Sequence, residues 1–179
     1  MRAVVIYESM YGNTHLVADA IAEGLRGDAS GIDAVVAAVG EVDVALDGTD
    51  LVVVGGPTHA HGMTRPSTRR TAAETADKAG SDLHLDADAE GPGLREWFDD
   101  TETLPRLGAA FDTRAGAPPL VTGRASKGIA KRLHHRGCVL IVEPESFVVT
   151  KENELADDEL AHARWWGGQL ASALRTRCR

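Results

Sequence analysis

Three short polar side chains, Ser9, Asn13 and Thr14, surround a glycine in the stretch Ser9-Met10-Tyr11-Gly12-Asn13-Thr14. An apolar run precedes them and a helical pattern follows. A phosphate group suits such a place: backbone N–H groups are free at a helix start, the helix dipole is positive there, and hydroxyls add donors. No Lys or Arg lies between Ser9 and Thr14, which excludes a P-loop ending in Gly-Lys-Ser/Thr, and no G-x-G-x-x-G occurs. The same residues also suit an ordinary capped helix start, with Asn13 or Thr14 as the cap. Their position directly after the first strand favours phosphate.

A second group is Pro57-Thr58-His59-Ala60-His61-Gly62. His-x-His is a metal-ligand spacing and opens the zinc motif of metallo-hydrolases. That motif asks for an Asp two residues on, where Met63 stands, and no carboxylate follows until Glu74. Only His84 or Asp112 could converge from a distance, so loop histidines facing solvent or a ligand are the better reading. Two basic clusters stand out: Arg65, Arg69 and Arg70, then Arg124, Lys127, Lys131, Arg132 and Arg136. The second reads as a solvated helix face, whereas Arg65 is also a candidate partner for a nucleotide phosphate. Cys138 sits in an apolar run with no base nearby in sequence, which reads as core and not as a nucleophile.

The elements that must position these residues alternate along the chain. Ala3–Tyr7, Ala34–Val39, Leu51–Val54, Ala109–Phe111 and Cys138–Val142 read as strands, with Phe147–Val149 an extension or edge piece beyond Pro144. Asn13–Arg26 places Leu16, Val17, Ala20, Ile21 and Leu25 on one helical stripe, closed by Gly27. Further helices are expected from Pro66 to about Lys78, from Leu94 to before Pro105, over Ser126–Arg136 and over Leu155–Arg175. Trp97, Trp165 and Trp166 fall on these helical patterns as core residues. Asp82–Gly93, acidic and turn-rich, reads as an exposed loop. Strands alternating with helices imply right-handed crossovers and a doubly wound α/β fold: a five-stranded parallel sheet with helices on both faces, in one domain spanning 1–179. Ligands then bind beyond the carboxyl ends of the strands.

At these residues the chain resembles the flavodoxin-like family. The family's phosphate loop has the form Ser/Thr-x-x-Gly-x-Thr, which Ser9–Thr14 fits. Val53–His59 is similar to its third strand and the flavin-contacting loop, and Ala109–Arg114 to its fourth strand and second flavin loop. The resemblance implies strand order 2-1-3-4-5, non-covalently bound FMN and one- or two-electron transfer. It places Ser9, Met10, Tyr11, Gly12, Asn13 and Thr14 at the ribityl phosphate. Pro57, Thr58, His59, Ala60, His61 and Gly62, with Asp112, Thr113 and Arg114, would contact the ring. Where relatives often place a Trp and a Tyr against the ring, this chain has His59, His61 and Met63, then Arg114. With Asp112 the one carboxylate among these residues, a cationic setting is expected that favours the reduced, anionic ring.

The 179 residues carry 19 Lys plus Arg against 27 Asp plus Glu, a net charge of −8 that argues against non-specific nucleic-acid binding. No apolar run reaches the roughly 20 residues of a membrane span, and two cysteines make no disulfide framework. Together with what the resemblance implies, a cytoplasmic electron-transfer protein serving a redox partner protein or a small-molecule electron acceptor is expected. The acidic stretches would face solvent or steer a basic partner. Alternatives are an NAD(P)H- or quinone-linked FMN-dependent oxidoreductase and, from another class, a flavin-less binding module or His-metal hydrolase.

Overall fold

A computed structural model describes residues 1–27, 30–41, 46–59, 61–87, 89–118 and 122–178. Ala60, expected near the ring, lies outside the described residues. The strands are β1 (Arg2–Tyr7), β2 (Asp33–Ala38), β3 (Leu51–His59), β4 (Gly62–Met63), β5 (Leu107–Ala115), β6 (Val139–Leu140) and β7 (Glu145–Val149). The helices are α1 (Asn13–Arg26), α2 (Pro66–Ala76), α3 (Leu94–Asp100), α4 (Ala125–His135) and α5 (Glu159–Arg177).

The main sheet runs β2-β1-β3-β5-β6, with β7 also parallel to β5 and β4 antiparallel to β3. This is the expected 2-1-3-4-5 winding, with β5 as fourth principal strand and β6 plus β7 as a divided fifth. The division is visible in the register. Along β5 the pairing moves from Gly108 to Phe111, while the neighbour moves from Leu140 to Glu145, so two extra residues are looped out. Pro144, which has no N–H to give a ladder, lies in that loop.

Strand alternation sends side chains to two cores. Ala3, Val5 and Tyr7 pack with α1 and α5 against Phe111, Phe147 and Trp166. Val4, Ile6, Val52 and Val54 pack on the other face with Leu94, Phe98, Ile129 and Leu133 of α3 and α4. Two side chains leave their expected stripes. In α1 the buried set runs through Val17, Ile21 and Leu25, and Leu16, one position off, is 51% exposed. In α5 Trp166 is buried while Trp165, one position off the stripe, is 59% exposed. A helix turns about 100° per residue, so a single step carries a side chain off the buried face.

The Asp82–Gly93 segment is not a free loop. Asp86 N–H donates to the Met10 carbonyl at 2.8 Å, and Met10, Ala72 and Ala89 form a small buried cluster with Leu85 and Tyr11 against it. The acidic segment thus braces the loop after β1. The second helix buries only Ala72. No described helix is long and apolar enough to cross a membrane.

Helices α1 and α5 cross at glycines. A Cβ on Gly167 would lie 2.3 Å from the Ile21 carbonyl oxygen, whereas one on the adjacent Gly168 would meet nothing within 4 Å. Gly167→Ala should therefore lower unfolding stability in urea by about 1–3 kcal/mol through overpacking. Gly168→Ala should be neutral or stabilising by up to about 1 kcal/mol through helix propensity.

Candidate functional site

β1 ends where Glu8 N–H bonds the Gly55 carbonyl of β3 at 3.0 Å. The Glu8 carboxylate is buried. It accepts from the Thr64 hydroxyl and, at 2.9 Å, from Leu94 N–H, pinning the entries to α2 and α3 against the end of β1. The chain then turns through Gly12, whose φ of 89° is the left-handed region that glycine enters without steric cost. Ser9 Oγ accepts Gly12 N–H at 3.1 Å and closes the turn.

No side chain caps α1. The cap position is Gly12, and the two expected caps, Asn13 and Thr14, are the first two residues of the helix, with their side chains bonded to other loops. Asn13 Nδ2 donates to the Asn153 carbonyl at 2.9 Å, and the Thr14 hydroxyl pairs with the Thr113 hydroxyl at 2.7 Å. The first helical N–H groups have no partner four residues back, and without a side-chain cap they remain free for a ligand.

This uncapped start opens on a cavity of about 220 Å³ at the carboxyl ends of β1, β3, β5 and β7. Ser9, Met10, Tyr11, Asn13 and Thr14 line it from the first loop, Pro57, Thr58 and His59 from the second, and Thr113 and Arg114 from the third. His61 and Gly62 do not. They line a second cavity with Arg65 and Arg95, and His59 forms part of both walls. Asp112 is fully buried beneath the site, where one carboxylate oxygen accepts from the Thr58 hydroxyl at 3.2 Å and Ser126 N–H at 2.8 Å. It is a brace for the β3 and β5 loops and the start of α4, not a cavity wall.

The last wall was not anticipated from the sequence. Val149, Thr150, Lys151 and Asn153, following β7, complete the cavity. The signal was available: Thr150-Lys151-Glu152-Asn153 is a polar run directly after an apolar strand ending. Its strand, interrupted at Pro144, read only as an extension or edge piece. Lys151 supplies the cation that the first loop lacks.

The charges differ from the simple sum of residue types. Burial pushes the His59 pKa below its ordinary value, so its imidazole is neutral at neutral pH. Arg114 turns its Nη1 to the Ala115 and Ala117 carbonyls, at 3.2 and 2.7 Å, while its buried Nε has no partner among the described residues. Tyr11 donates its hydroxyl to the Ala72 carbonyl at 3.0 Å, and burial raises its pKa. The cationic ring environment anticipated from His59, His61, Arg65 and Arg114 is therefore reduced at this cavity. His61 and Arg65 face the second one. Among the described residues no three His, Cys, Asp or Glu side chains are grouped to hold a metal. Cys138 is buried, donates to the Pro105 carbonyl and has its pKa pushed up to about 11, far from a reactive thiolate.

Residues 4–70, from β1 into α2, match the model of the flavodoxin domain. In structure, the chain is similar to oxidised flavodoxin 1 from Bacillus cereus, with a TM-score of 0.62 at 20% identity, covering 96% of this chain and 98% of that one. The fold is flavodoxin-like. A flavodoxin from the domain Archaea gives a TM-score of 0.60 at 20% identity over 98% of this chain and 99% of that one. Oxidised flavodoxin 2 from Bacillus cereus gives 0.59 at 22% identity over 99% of each chain. A comparison with curated protein sequences gives no match. The matched segment contains both the Ser9–Thr14 turn and the Pro57–Gly62 stretch of this flavodoxin-like chain.

His59 provides a test of the site's burial. Its folded pKa is depressed, so its contribution to stability is complete above the unfolded value of about 6.5. That contribution is lost as pH falls toward the folded pKa, because the unfolded chain takes up the proton first. Ring NMR should give a His59 midpoint below about 6.5. His59→Gln should lose less stability than the parent on acidification through that window.

Proposed function

We propose that this chain binds FMN in the cavity at the start of α1 and passes electrons to a redox partner protein or small-molecule acceptor in the cytoplasm. The observation that carries this reading is the uncapped α1 N-terminus, set among the Ser9, Thr14, Thr58 and Thr113 hydroxyls where four strand ends meet. Free amides, the Ser9 hydroxyl, which accepts from Gly12 and keeps its own proton to donate, and the helix dipole match a phosphate monoester dianion. Lys151 adds a point charge from the wall after β7, and the orphaned Nε of Arg114 is a buried donor that an acceptor atom of a bound ring would satisfy. The residues present thus fit FMN.

Bound there, the flavin would supply one- or two-electron chemistry. The protein's part is to hold and shape. Ser9 and the first turn of α1 would hold the phosphate. Tyr11, Pro57, His59 and Arg114 would bound the ring, with His59 neutral. The Thr14–Thr113 and Asp112–Thr58 hydrogen bonds keep the loops at fixed separation, so that little ordering remains to be done on binding.

Titration of the purified protein with FMN, followed by flavin fluorescence, tests this. One-to-one quenching is expected, and its absence would refute the reading. Gly12→Val should weaken FMN binding at least ~10-fold, which corresponds to about 1.4 kcal/mol. A Cβ at Gly12 would meet nothing within 4 Å, so the cause is strain at φ 89°, relieved by turning the amides away from the phosphate. Lys151→Glu should weaken FMN but leave riboflavin, which has no phosphate, unchanged, and added salt should shrink the difference.

A further inference from the structure

We propose that the second cavity, walled by His59, His61, Arg65 and Arg95, is a subsite for the phosphate group of a small molecule that exchanges electrons with the flavin. The position beside the flavin rests on the FMN reading, whereas the anion site itself does not. The cavity measures about 270 Å³ and meets the first at His59. Its lining contains two arginines, two histidines and the hydroxyls of Ser67 and Thr68, and no carboxylate, in a chain of net charge −8.

The carboxylates nearest in the fold are already engaged. Glu96 pairs with Arg69 at 3.1 Å, and Glu8 accepts from the Thr64 hydroxyl and Leu94 N–H. Among the described residues neither Arg65 nor Arg95 forms a salt bridge. Arg95 is held in place by donating Nε to the Thr64 carbonyl at 2.7 Å and Nη2 to the Met63 carbonyl at 3.2 Å. Its pKa is lowered by burial and then by the positive Arg132 and Arg65, with Glu96 and Glu8 offsetting only in part. The local field is thus positive without a bound anion.

The donor geometry favours phosphate over carboxylate. A planar carboxylate is satisfied by one guanidinium fork. Here two guanidiniums on different elements, an imidazole and Ser67 surround one volume, which suits a tetrahedral dianion, while the Thr68 hydroxyl already donates to the Arg65 carbonyl. The neutral His59 separates this volume from the first cavity without adding charge to the shared wall.

The test is a titration of the FMN-saturated protein with sodium pyrophosphate at constant ionic strength, following the histidine ring resonances by NMR. Flavin fluorescence monitors whether FMN is retained. Saturable shifts of both His59 and His61 are expected, with FMN retained, and succinate should bind more weakly. Arg65→Glu should weaken pyrophosphate at least ~10-fold, which corresponds to about 1.4 kcal/mol. Arg65→Gln should do so to a smaller extent, and Arg65→Lys should stay within a few-fold of the parent. Arg65 is exposed, and circular dichroism checks that each variant is folded. Three results would overturn the proposal: no saturable His61 shift, undiminished affinity in folded Arg65→Glu and Arg65→Gln, or succinate binding as tight as pyrophosphate. Shifts that appear only as FMN is released would also overturn it, because they place the anion in the first cavity. If the protein takes up no FMN, the same titration on the protein as purified reads the anion site through His61 alone, so the two readings fail separately.

Discussion

The Thr14 and Thr113 hydroxyls, 2.7 Å apart and buried, join the first turn of α1 to the carboxyl end of β5 across 99 residues of chain. That contact sets the distance between the loops after the first and fourth principal strands, which is the width of the cavity. Asn13 makes the corresponding tie to Asn153 beyond β7. The cap position itself is Gly12, which has no side chain to close the helix start, and the backbone amides are left open. A buried hydrogen bond contributes only about 1 kcal/mol net, but an unsatisfied buried hydroxyl costs more, so the pair is selective about loop spacing.

Beneath that surface, two buried carboxylates organise the loops without reaching the ligand cavity. Asp112 gathers the Thr58 hydroxyl and the start of α4, and Glu8 gathers Thr64 and the start of α3. Glu8 accepts at both oxygens, whereas Asp112 accepts twice at one oxygen and its buried Oδ1 has no partner among the described residues. The division of labour is clear from burial. Glu8 and Asp112 are structural at this end of the sheet, while the cavity walls carry Lys151, Arg65 and the two histidines.

Much of the architecture was legible in the sequence because hydrophobic period and helix punctuation agree there. Asn13–Arg26 reads as a helix between a polar turn and Gly27, and those are the bounds of α1. β3 was harder. Gly55-Gly56-Pro57 reads as a strand stop, yet β3 continues to His59. The glycines are there for packing: a Cβ on Gly55 would lie 2.1 Å from the Phe111 ring, and one on Gly56 would lie 2.7 Å from Leu94. Composition at a single strand does not reveal what a neighbouring strand needs. The fifth principal strand illustrates the same point, since only its pairing with β5 shows that the residues on either side of Pro144 belong to one edge. The site was legible where one loop carried the pattern, as at Ser9–Thr14. It was hidden where chemistry depends on a distant partner, as with Asp112 beneath Thr58, His61 parted from His59, and Lys151 arriving from β7.

The central claim is that the start of α1, with glycine at its cap position, receives a phosphate dianion. Phosphorus NMR of FMN bound to the protein reads that contact directly. A phosphate monoester in water takes up its second proton with a pKa of ~6. Amide and hydroxyl donors around the bound group should hold it as the dianion, giving one displaced resonance that does not move between pH ~5 and ~8. A resonance that titrates near pH ~6 like that of free FMN would contradict the account.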